Sequence, residues 1–175
     1  DFSSNLSRLN ICPLSISYEY DPCDFLKAKE FQQRRDNPEF KKLPQDDLMS
    51  MSTGVMGYKG KVVYSVTGDI NQELENMALE TKNKSELVTF TAELIDKKIH
   101  SNYVIYPINK VAYDLLNGTT SFEKEYTMME KLDFELYIEK QIQRIDLENR
   151  DVDFLKKKIL EMYANPLINF LKSQQ

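Results

Sequence analysis

The only histidine of the chain is His100, so any mechanism that uses an imidazole must use this residue. It is followed by Ser101, Asn102 and Tyr103, and neither a serine or cysteine nucleophile motif nor a His-Glu-x-x-His zinc pattern surrounds it. A histidine near the C-terminal end of a predicted helix is favourably placed in the field of the helix dipole. We therefore expect a structural role for His100.

Carboxylates and aromatic side chains cluster directly after the first predicted strand. Asp21 and Asp24 are well placed to cap a helix N-terminus, which is the simpler interpretation for both. Glu19 and Tyr20 have no such role, and loops that follow strands bind ligands in open α/β sheets. The sequence therefore predicts Glu19 and Tyr20 as substrate-binding residues.

A run of basic residues follows, interleaved with two phenylalanines: Lys27, Lys29, Arg34, Arg35, Lys41 and Lys42. Such a run usually forms the solvated face of a helix. In a chain with a net charge of −5, it is also a local patch at which phosphate groups could dock. The basic residues predicted to bind substrate are Lys27, Lys29, Arg34 and Arg35.

The composition excludes several classes of protein. A chain of 175 residues with 41% hydrophobic and 29% charged residues predicts a folded globular domain. No apolar run is long enough to span a membrane, the start does not resemble a signal peptide, and the acidic balance argues against nucleic acid as a partner. Cys12 and Cys23 lie outside any Cys-x-x-Cys pattern, so we expect no metal site and a reducing, cytoplasmic location.

The elements that must position these residues are predicted from hydrophobic periodicity. Alternating residues over 11–18 and a β-rich run over 61–67 predict two strands. Asp21 and Pro22 predict a helix from Pro22 to about Arg35, and a second helix follows, with Leu48, Met51 and Val55 facing inward. About 40 residues of helical pattern between the strands favour a right-handed crossover and parallel pairing.

The second half of the chain is predicted to be almost wholly helical. Thr120 and Glu123 have capping-box spacing ahead of a helix that runs to about Asp146 and has apolar residues on two opposite sides. Two explanations remain open for this helix. It is bent or packed inside its own domain, or it contacts a partner, a membrane surface or another part of the protein.

These patterns predict an α/β fold with a partial parallel sheet, strands near 11–18 and 61–67, a helical crossover and a helix-rich C-terminal half. We expect a single domain over 1–175, with an α/β portion over 1–70 and a helical portion over 71–175.

Short blocks of the sequence resemble the glycerolipid acyltransferases, the lysophosphatidic-acid and glycerol-phosphate acyltransferase superfamily. Residues 10–18, Asn-Ile-Cys-Pro-Leu-Ser-Ile-Ser-Tyr, resemble the Pro-containing strand of the fourth conserved block of that family. Residues 17–30 look like a bacterial branch of acyltransferase-like proteins, and 60–70 and 163–167 are similar to later parts of it. The resemblance implies that Pro13 belongs to a strand that lines the substrate site.

The same resemblance implies that the catalytic residues lie outside this chain. The family uses a His-x4-Asp motif, in which the histidine acts as general base, but Ile105 stands five positions after His100. The Glu-Gly-Thr-type block that binds the acceptor phosphate is also missing, and both blocks belong upstream of the Pro-containing strand. We therefore expect the C-terminal part of an acyltransferase, with its catalytic motif upstream of residue 1.

The resemblance implies that the parent protein moves a fatty acyl group from acyl-CoA or acyl carrier protein to a lysophospholipid, glycerol-phosphate or related lipid acceptor. The isolated chain is expected to be inactive and to bind no cofactor. Its expected partners are the N-terminal catalytic portion, a lipid-like acceptor, a membrane surface and, by self-association, a second copy. The expected location is cytoplasmic or peripheral on the inner face of the cell membrane. The alternative is a non-enzymatic protein-interaction or peripheral membrane-binding module.

Overall fold

The computed structural model describes residues 6, 8–81 and 83–175. Helix accounts for 64% of the chain. The two strands are β1 (Leu14–Tyr18) and β2 (Val62–Val66). The helices are α1 (Asp24–Asp36), α2 (Pro44–Met56), α3 (Asn71–Glu80), α4 (Lys84–Ser101), α5 (Pro107–Asn117), α6 (Met128–Gln143) and α7 (Val152–Ser173), with a short 3₁₀ helix at Glu123–Glu125.

The two strands pair antiparallel, so the predicted parallel α/β sheet is wrong. The Glu19 N–H donates to the Lys61 carbonyl at 2.9 Å at one end of the pair. At the other end, the Thr67 N–H donates to the Pro13 carbonyl at 3.1 Å. The strands lie within the predicted ranges, and only their relative direction differs from the prediction.

The antiparallel direction follows from the number of helices between the strands. A single crossover helix returns the chain to the end of the sheet from which it started, whereas here α1 leads away and α2 comes back. Gly57, which follows α2, lies so close to Pro22, which precedes α1, that a Cβ on Gly57 would stand 2.3 Å from the Pro22 Cβ. The chain therefore enters β2 near the point where it left β1.

The alternation in β1 is confirmed, but its polar face is the buried one. Ser15 and Ser17 are buried, the Ser15 hydroxyl donates to the Asn102 carbonyl, and the Ser17 hydroxyl accepts from the Val104 N–H. The apolar side chains of Leu14, Ile16, Tyr64 and Val66 are exposed instead. We call these four residues the outer sheet face.

Two compact units can be described separately, and neither is continuous in sequence. Unit 1 combines the described residues of Asp1–Ser17 with Val63–Val104 and Ile168–Gln175. Its core lies between α3 and α4, where Ile70, Leu74 and Leu87 are buried. Because the amphipathic faces of α3 and α4 are short, this core is small.

Unit 2 comprises Tyr18–Val62 and Ile105–Leu167, and it contains the larger core. Its helices α5, α6 and α7 each bury an apolar stripe, whereas α1 buries Asp24, Ala28 and Gln32. The fully buried apolar residues of these four helices are Ala28, Val111, Ala112, Phe134, Ile138, Leu155, Ile159 and Ala164. Helices α6 and α7 contact the loop that connects β1 to α1 through Tyr137 and Tyr163.

Helix α6 begins later than the sequence pattern predicts. Thr127 and Glu130 form the capping box, whereas Thr120 and Glu123 belong to the turn and 3₁₀ segment before it. Of its two apolar sides, the one with Phe134 and Ile138 is buried. The other side, formed by Met128, Met129, Leu132 and Leu136, is exposed, so α6 is not packed on both sides within the described part of unit 2.

Two glycines with positive φ offer a matched test of the turn before β2. Gly60 (φ 63°) and Gly118 (φ 62°) share the left-handed conformation, but only a Cβ on Gly60 would approach within 3 Å of other atoms, those of Glu19. We expect Gly118→Ala to lower the free energy of unfolding by about 1 kcal/mol. Gly60→Ala should lower it by about 2–3 kcal/mol, because overpacking adds to the conformational cost.

Urea denaturation of both variants measures the two losses. Equal losses in the free energy of unfolding would show that the close approach of Glu19 to Gly60 does not affect stability.

Candidate functional site

A cleft of about 510 Å³ lies between α1 and α2 in unit 2. This volume is within the range of small-molecule binding sites. The α1 wall consists of Leu26, Lys29, Glu30 and Gln33, whose spacing of three and four residues places them on one face of the helix. The end of β1, the following loop and the first turn of α1 complete this wall with Tyr18, Asp21, Pro22, Cys23 and Lys27.

The opposite wall is formed by α2 and the segments that flank it. Its lining residues are Phe40, Lys42, Asp46, Met49, Ser50, Gly54 and Lys59. Small residues, Ser50 and Gly54, face Cys23, and a Cβ on Gly54 would stand 3.6 Å from the Cys23 Sγ. The Cys23 Sγ reaches across to the Ser50 carbonyl at 3.3 Å.

Helix α2 has no buried residue, which contradicts the prediction that Leu48, Met51 and Val55 face inward. All three are more than 65% exposed. The reason is the cleft itself, because the helix face opposite these residues borders an open space instead of a core. Helix α2 is therefore held mainly by its ends and by polar contacts.

Asp21 fixes the loop wall of the cleft. Its carboxylate accepts a hydrogen bond from the Cys23 N–H at 2.9 Å and forms an ion pair with the Lys27 ammonium at 2.5 Å. Its backbone N–H donates to the Tyr163 hydroxyl at 3.0 Å. The loop is thus tied to α7, which belongs to the core of unit 2.

A buried carboxylate lies behind this loop. Asp24 is fully buried, and its Oδ2 accepts hydrogen bonds from the Tyr137 hydroxyl at 2.6 Å and the Tyr163 hydroxyl at 2.8 Å. Burial raises the pKa of Asp24 to about 6, although both tyrosine hydrogen bonds oppose that rise. Burial and the charge of Asp24 raise the pKa of both tyrosines, so these hydroxyls donate and do not act as bases.

The lysines that line the cleft differ in their partners. Lys27 pairs with Asp21, and Lys42 pairs with Glu30 at 3.4 Å and with Asp47 at 3.0 Å. Lys59 donates to backbone carbonyls at the end of α2. Lys29 is half-buried and has no carboxylate partner among the described residues.

Cys23 belongs to the loop wall of the cleft and is half-buried. Burial raises the pKa of its thiol, and the nearby Asp21 carboxylate adds to the rise. A reactive cysteine has a lowered pKa. Cys23 therefore has the properties of a packing residue rather than those of a nucleophile.

The structure separates the seven predicted substrate-binding residues. Lys27 and Lys29 line the cleft. Glu19 and Tyr20 lie in the adjoining loop, where the Glu19 carboxylate accepts from the Lys61 N–H and the Tyr20 ring packs on Tyr137 with centroids 4.7 Å apart.

The other three predicted residues lie outside the cleft lining. Pro13 is buried in unit 1, and its carbonyl accepts hydrogen bonds from Thr67. Arg34 pairs with Glu30 on the outside of α1. Arg35 pairs with Asp36 and Asp151 and lies over the Phe154 ring. Their contacts are those of residues that stabilise the fold.

Sequence reasoning missed Lys59 and the buried cluster around Asp24. Lys59 belongs to the turn Lys59-Gly60-Lys61, which carries no signal of a binding site. Asp24 is more than 100 residues away from both Tyr137 and Tyr163 along the chain, and a single sequence cannot show that these side chains meet.

The remaining chemical candidates are sparse. His100 lies near the C-terminal end of α4, as predicted, and its nearest aromatic partner is the Tyr103 ring. Among the described residues, no group of three or more His, Cys, Asp or Glu side chains is placed to hold a metal ion. Within the same residues, no helix combines the length and the apolar character needed to cross a bilayer.

No protein-family model matches this chain, and no curated protein and no solved structure is significantly similar to it. The resemblance to glycerolipid acyltransferases therefore remains a prediction from short blocks of sequence.

Proposed function

We propose that this chain is the C-terminal portion of an acyltransferase that moves a fatty acyl group from acyl-CoA or acyl carrier protein to a lysophospholipid, glycerol-phosphate or related lipid acceptor. One observation carries the proposal. Half of the residues that line the cleft come from 18–30, within the stretch of sequence that most distinctively resembles this family.

The chain contributes binding and support in this proposal, not proton transfer. A general base for an alcohol needs an imidazole with an orienting carboxylate or a group of similar basicity. In the described part of the chain, His100 has no carboxylate partner, and the pKa values of Tyr137, Tyr163 and Cys23 are raised. The isolated chain is therefore expected to be inactive, with the catalytic motif encoded before residue 1.

The proposal also includes a location and partners. The parent works in the cytoplasm or at the inner face of the cell membrane, where lipid acceptors are found, and it needs no bound cofactor beyond its acyl donor. Its partners are its own N-terminal catalytic portion and the lipid acceptor.

The test compares two polypeptides, this chain and the product of its complete gene. Each is incubated with an acyl thioester and either lysophosphatidate or glycerol phosphate, and the released thiol and the acylated product are measured. Turnover by the complete product alone supports the proposal. Turnover by this chain would contradict our account of its chemistry, and no turnover by either polypeptide would contradict the acyltransferase assignment.

A second candidate is a non-enzymatic interaction module. The exposed apolar stripe of α6, formed by Met128, Met129, Leu132 and Leu136, favours it, because exposed apolar patches of this kind often contact partners. The complete gene product again separates the two candidates. A product without an imidazole and carboxylate pair upstream of residue 1 would favour the interaction module.

A further inference from the structure

Helix α2 lacks the packing that a helix of its composition needs. It has only 13 residues, and isolated helices of this length are marginal in water. Its stretch 52–55, Ser-Thr-Gly-Val, consists of weak helix formers, so intrinsic propensity does not compensate. Most helices gain their stability from a buried apolar face, but α2 buries no residue. We therefore expect contacts beyond those of a single chain to stabilise it.

The side of α2 that points away from the cleft is apolar. Leu48, Met51 and Val55 follow the spacing of three and four residues that places side chains in one row along a helix. Met56 lies two steps of four residues after Leu48 and extends this surface at its C-terminal end. All four side chains are more than 65% exposed. We call these four residues the α2 outer face.

The sequence of α2 is also unusual for a helix that faces solvent. Residues 48–58 contain no Asp, Glu, Lys or Arg, although 29% of the chain is charged. The centre of a protein–protein interface is depleted of charge and enriched in methionine and tyrosine, as this stretch is. By contrast, Glu135 and Glu139 lie one turn from members of the exposed apolar stripe of α6. The composition therefore favours the α2 outer face as a protein interface.

The charges of α2 lie at its two ends and have opposite signs. Asp46 and Asp47 belong to the first turn, and Lys42 pairs with only the second of them. The Lys59 ammonium lies at the other end, where it donates to backbone carbonyls. Antiparallel packing of two α2 helices places the acidic end of each against the basic end of the other, whereas parallel packing places like charges together. The α2 outer face is thus complementary to a second copy of itself.

We propose that the α2 outer face is the interface of a two-fold symmetric dimer, in which the α2 helices of two copies pack antiparallel. The same surface is used by both copies, and Met51 lies close to the symmetry axis. Burial of both outer faces would remove about 1,200 Å² from water, the lower limit of a specific interface. We therefore expect a dissociation constant in the micromolar range.

Sedimentation equilibrium at neutral pH tests the dimer. We expect twice the chain mass of 20.5 kDa, with dissociation on dilution. Met51→Glu brings two carboxylates together near the symmetry axis and should weaken the dimer about a hundredfold. Met129→Glu is the matched control, because Met129 is exposed to nearly the same extent on α6, and its dimer should be as stable as that of the unchanged chain. Circular dichroism verifies that both variants fold.

The outer sheet face is the competing apolar surface, and Ile16→Lys tests it. This variant places a charge on the sheet and leaves α2 unchanged, so we expect it to remain dimeric at neutral pH. A dimer that Ile16→Lys dissociates and Met51→Glu does not would overturn the inference, because it would assign the interface to the sheet.

Cross-linking tests the antiparallel arrangement. Gln45→Cys and Met56→Cys are made in a chain with Cys12→Ser and Cys23→Ser, and a short bismaleimide is added above the dissociation constant. Antiparallel packing brings Gln45 near the partner's Met56, so only a mixture of the two variants should form cross-linked dimers. Each variant would cross-link to itself if the helices were parallel, and that result would overturn the arrangement.

Amide exchange measures the effect of the dimer on α2. Because α2 buries no residue within one chain, its amides should exchange quickly below the dissociation constant and slowly above it. Exchange in α5, which buries its apolar stripe within unit 2, should not depend on concentration. Exchange in α2 that is equally fast at all concentrations would contradict the dimer.

A chain that stays monomeric at every accessible concentration would overturn the inference, and two measurements would then identify another occupant. Slow exchange of α2 only in the complete gene product would assign the α2 outer face to a different segment of that protein. Binding to lipid vesicles that Met51→Glu abolishes would assign it to a membrane surface. None of these experiments uses an acyl substrate, so their outcome is independent of the proposed acyltransferase function.

Discussion

The free energy of unfolding should fall by about 3 kcal/mol as the pH rises through the titration of Asp24, because a shift of one pKa unit corresponds to about 1.4 kcal/mol. Burial raises the pKa of this carboxyl from 3.8 to about 6 in the folded protein. Between these two values the folded state binds the proton that the unfolded state has already released. The stabilising effect of the proton is therefore complete below 3.8 and is lost by about pH 6.

Asp24→Asn is the control for this pH dependence, since its side chain is of similar size and stays neutral. Asp36 and Asp151 have lowered pKa values, chiefly through hydrogen bonds to Arg35 and to the Phe154 N–H respectively, so they contribute a slope of opposite sign in both proteins. The difference between the two urea-denaturation series isolates Asp24. Parallel curves for the two proteins would contradict the assignment.

Tyr163→Phe is expected to destabilise the fold by about 2–3 kcal/mol, the cost of losing a buried hydrogen bond to a charged group and leaving a second partner unsatisfied. The Tyr163 hydroxyl donates to Asp24 and accepts from the Asp21 N–H, and the ring is almost fully buried. Because this hydrogen bond to Asp24 lowers the pKa of the carboxyl, the variant should also shift the Asp24 titration to higher pH. Thermal and urea denaturation measure both effects.

Two further tyrosines serve as comparisons for Tyr163. Tyr137→Phe should cost less, because Tyr137 is only half-buried and does not hold Asp21. Tyr113→Phe should cost almost nothing, since the structure gives its hydroxyl no hydrogen-bond partner among the described residues and its ring packs on Phe122 in either form. Equal losses in the free energy of unfolding for Tyr163→Phe and Tyr113→Phe would show that the buried cluster does not stabilise the fold.

The Tyr163→Phe substitution should also affect the loop wall of the cleft. Its hydroxyl holds the backbone of Asp21, and Asp21 in turn positions Lys27 and the N–H of Cys23. We therefore expect Tyr163→Phe to speed amide exchange at Asp21 and Cys23 even where the variant is fully folded.

Local signals predicted the helices that carry stop and start residues. Asp21 and Pro22 place the start of α1 within two residues of its observed position, and Gly118, in the left-handed conformation, ends α5. The two strands were also found, since alternation over 11–18 and a β-rich run over 61–67 are properties of the segments themselves. These features depend on neighbouring residues only.

Features that depend on distant residues were not predictable. Alternation in β1 distinguishes two faces but does not show which is buried, and here Ser15 and Ser17 face inward because backbone groups of 102–104 are available to them. The direction of β2 depends on whether one helix or a helical pair returns the chain to the sheet. The inward orientation expected for Leu48 and Val55 failed because α2 borders a cleft instead of a core.

The candidate site was predicted in part for the same reason. Lys27 and Lys29 lie in one local basic run, and both line the cleft, although residues two apart on a helix do not share a face. Lys59 completes the opposite wall, and it borders the cleft only because α2 brings the chain back toward α1. The buried cluster behind the loop depends on contacts between three helices, which a local sequence pattern cannot predict.

The outer sheet face has a consequence for the solubility of the chain. Leu14, Ile16, Tyr64 and Val66 offer flat apolar contact to a second molecule, and electrostatic repulsion between molecules of net charge −5 is the main force that opposes it at neutral pH. Repulsion vanishes near the isoelectric point of 5.1. We expect a solubility minimum at this pH, measured by light scattering. Ile16→Lys should reduce the turbidity because it places a charged side chain within the outer sheet face.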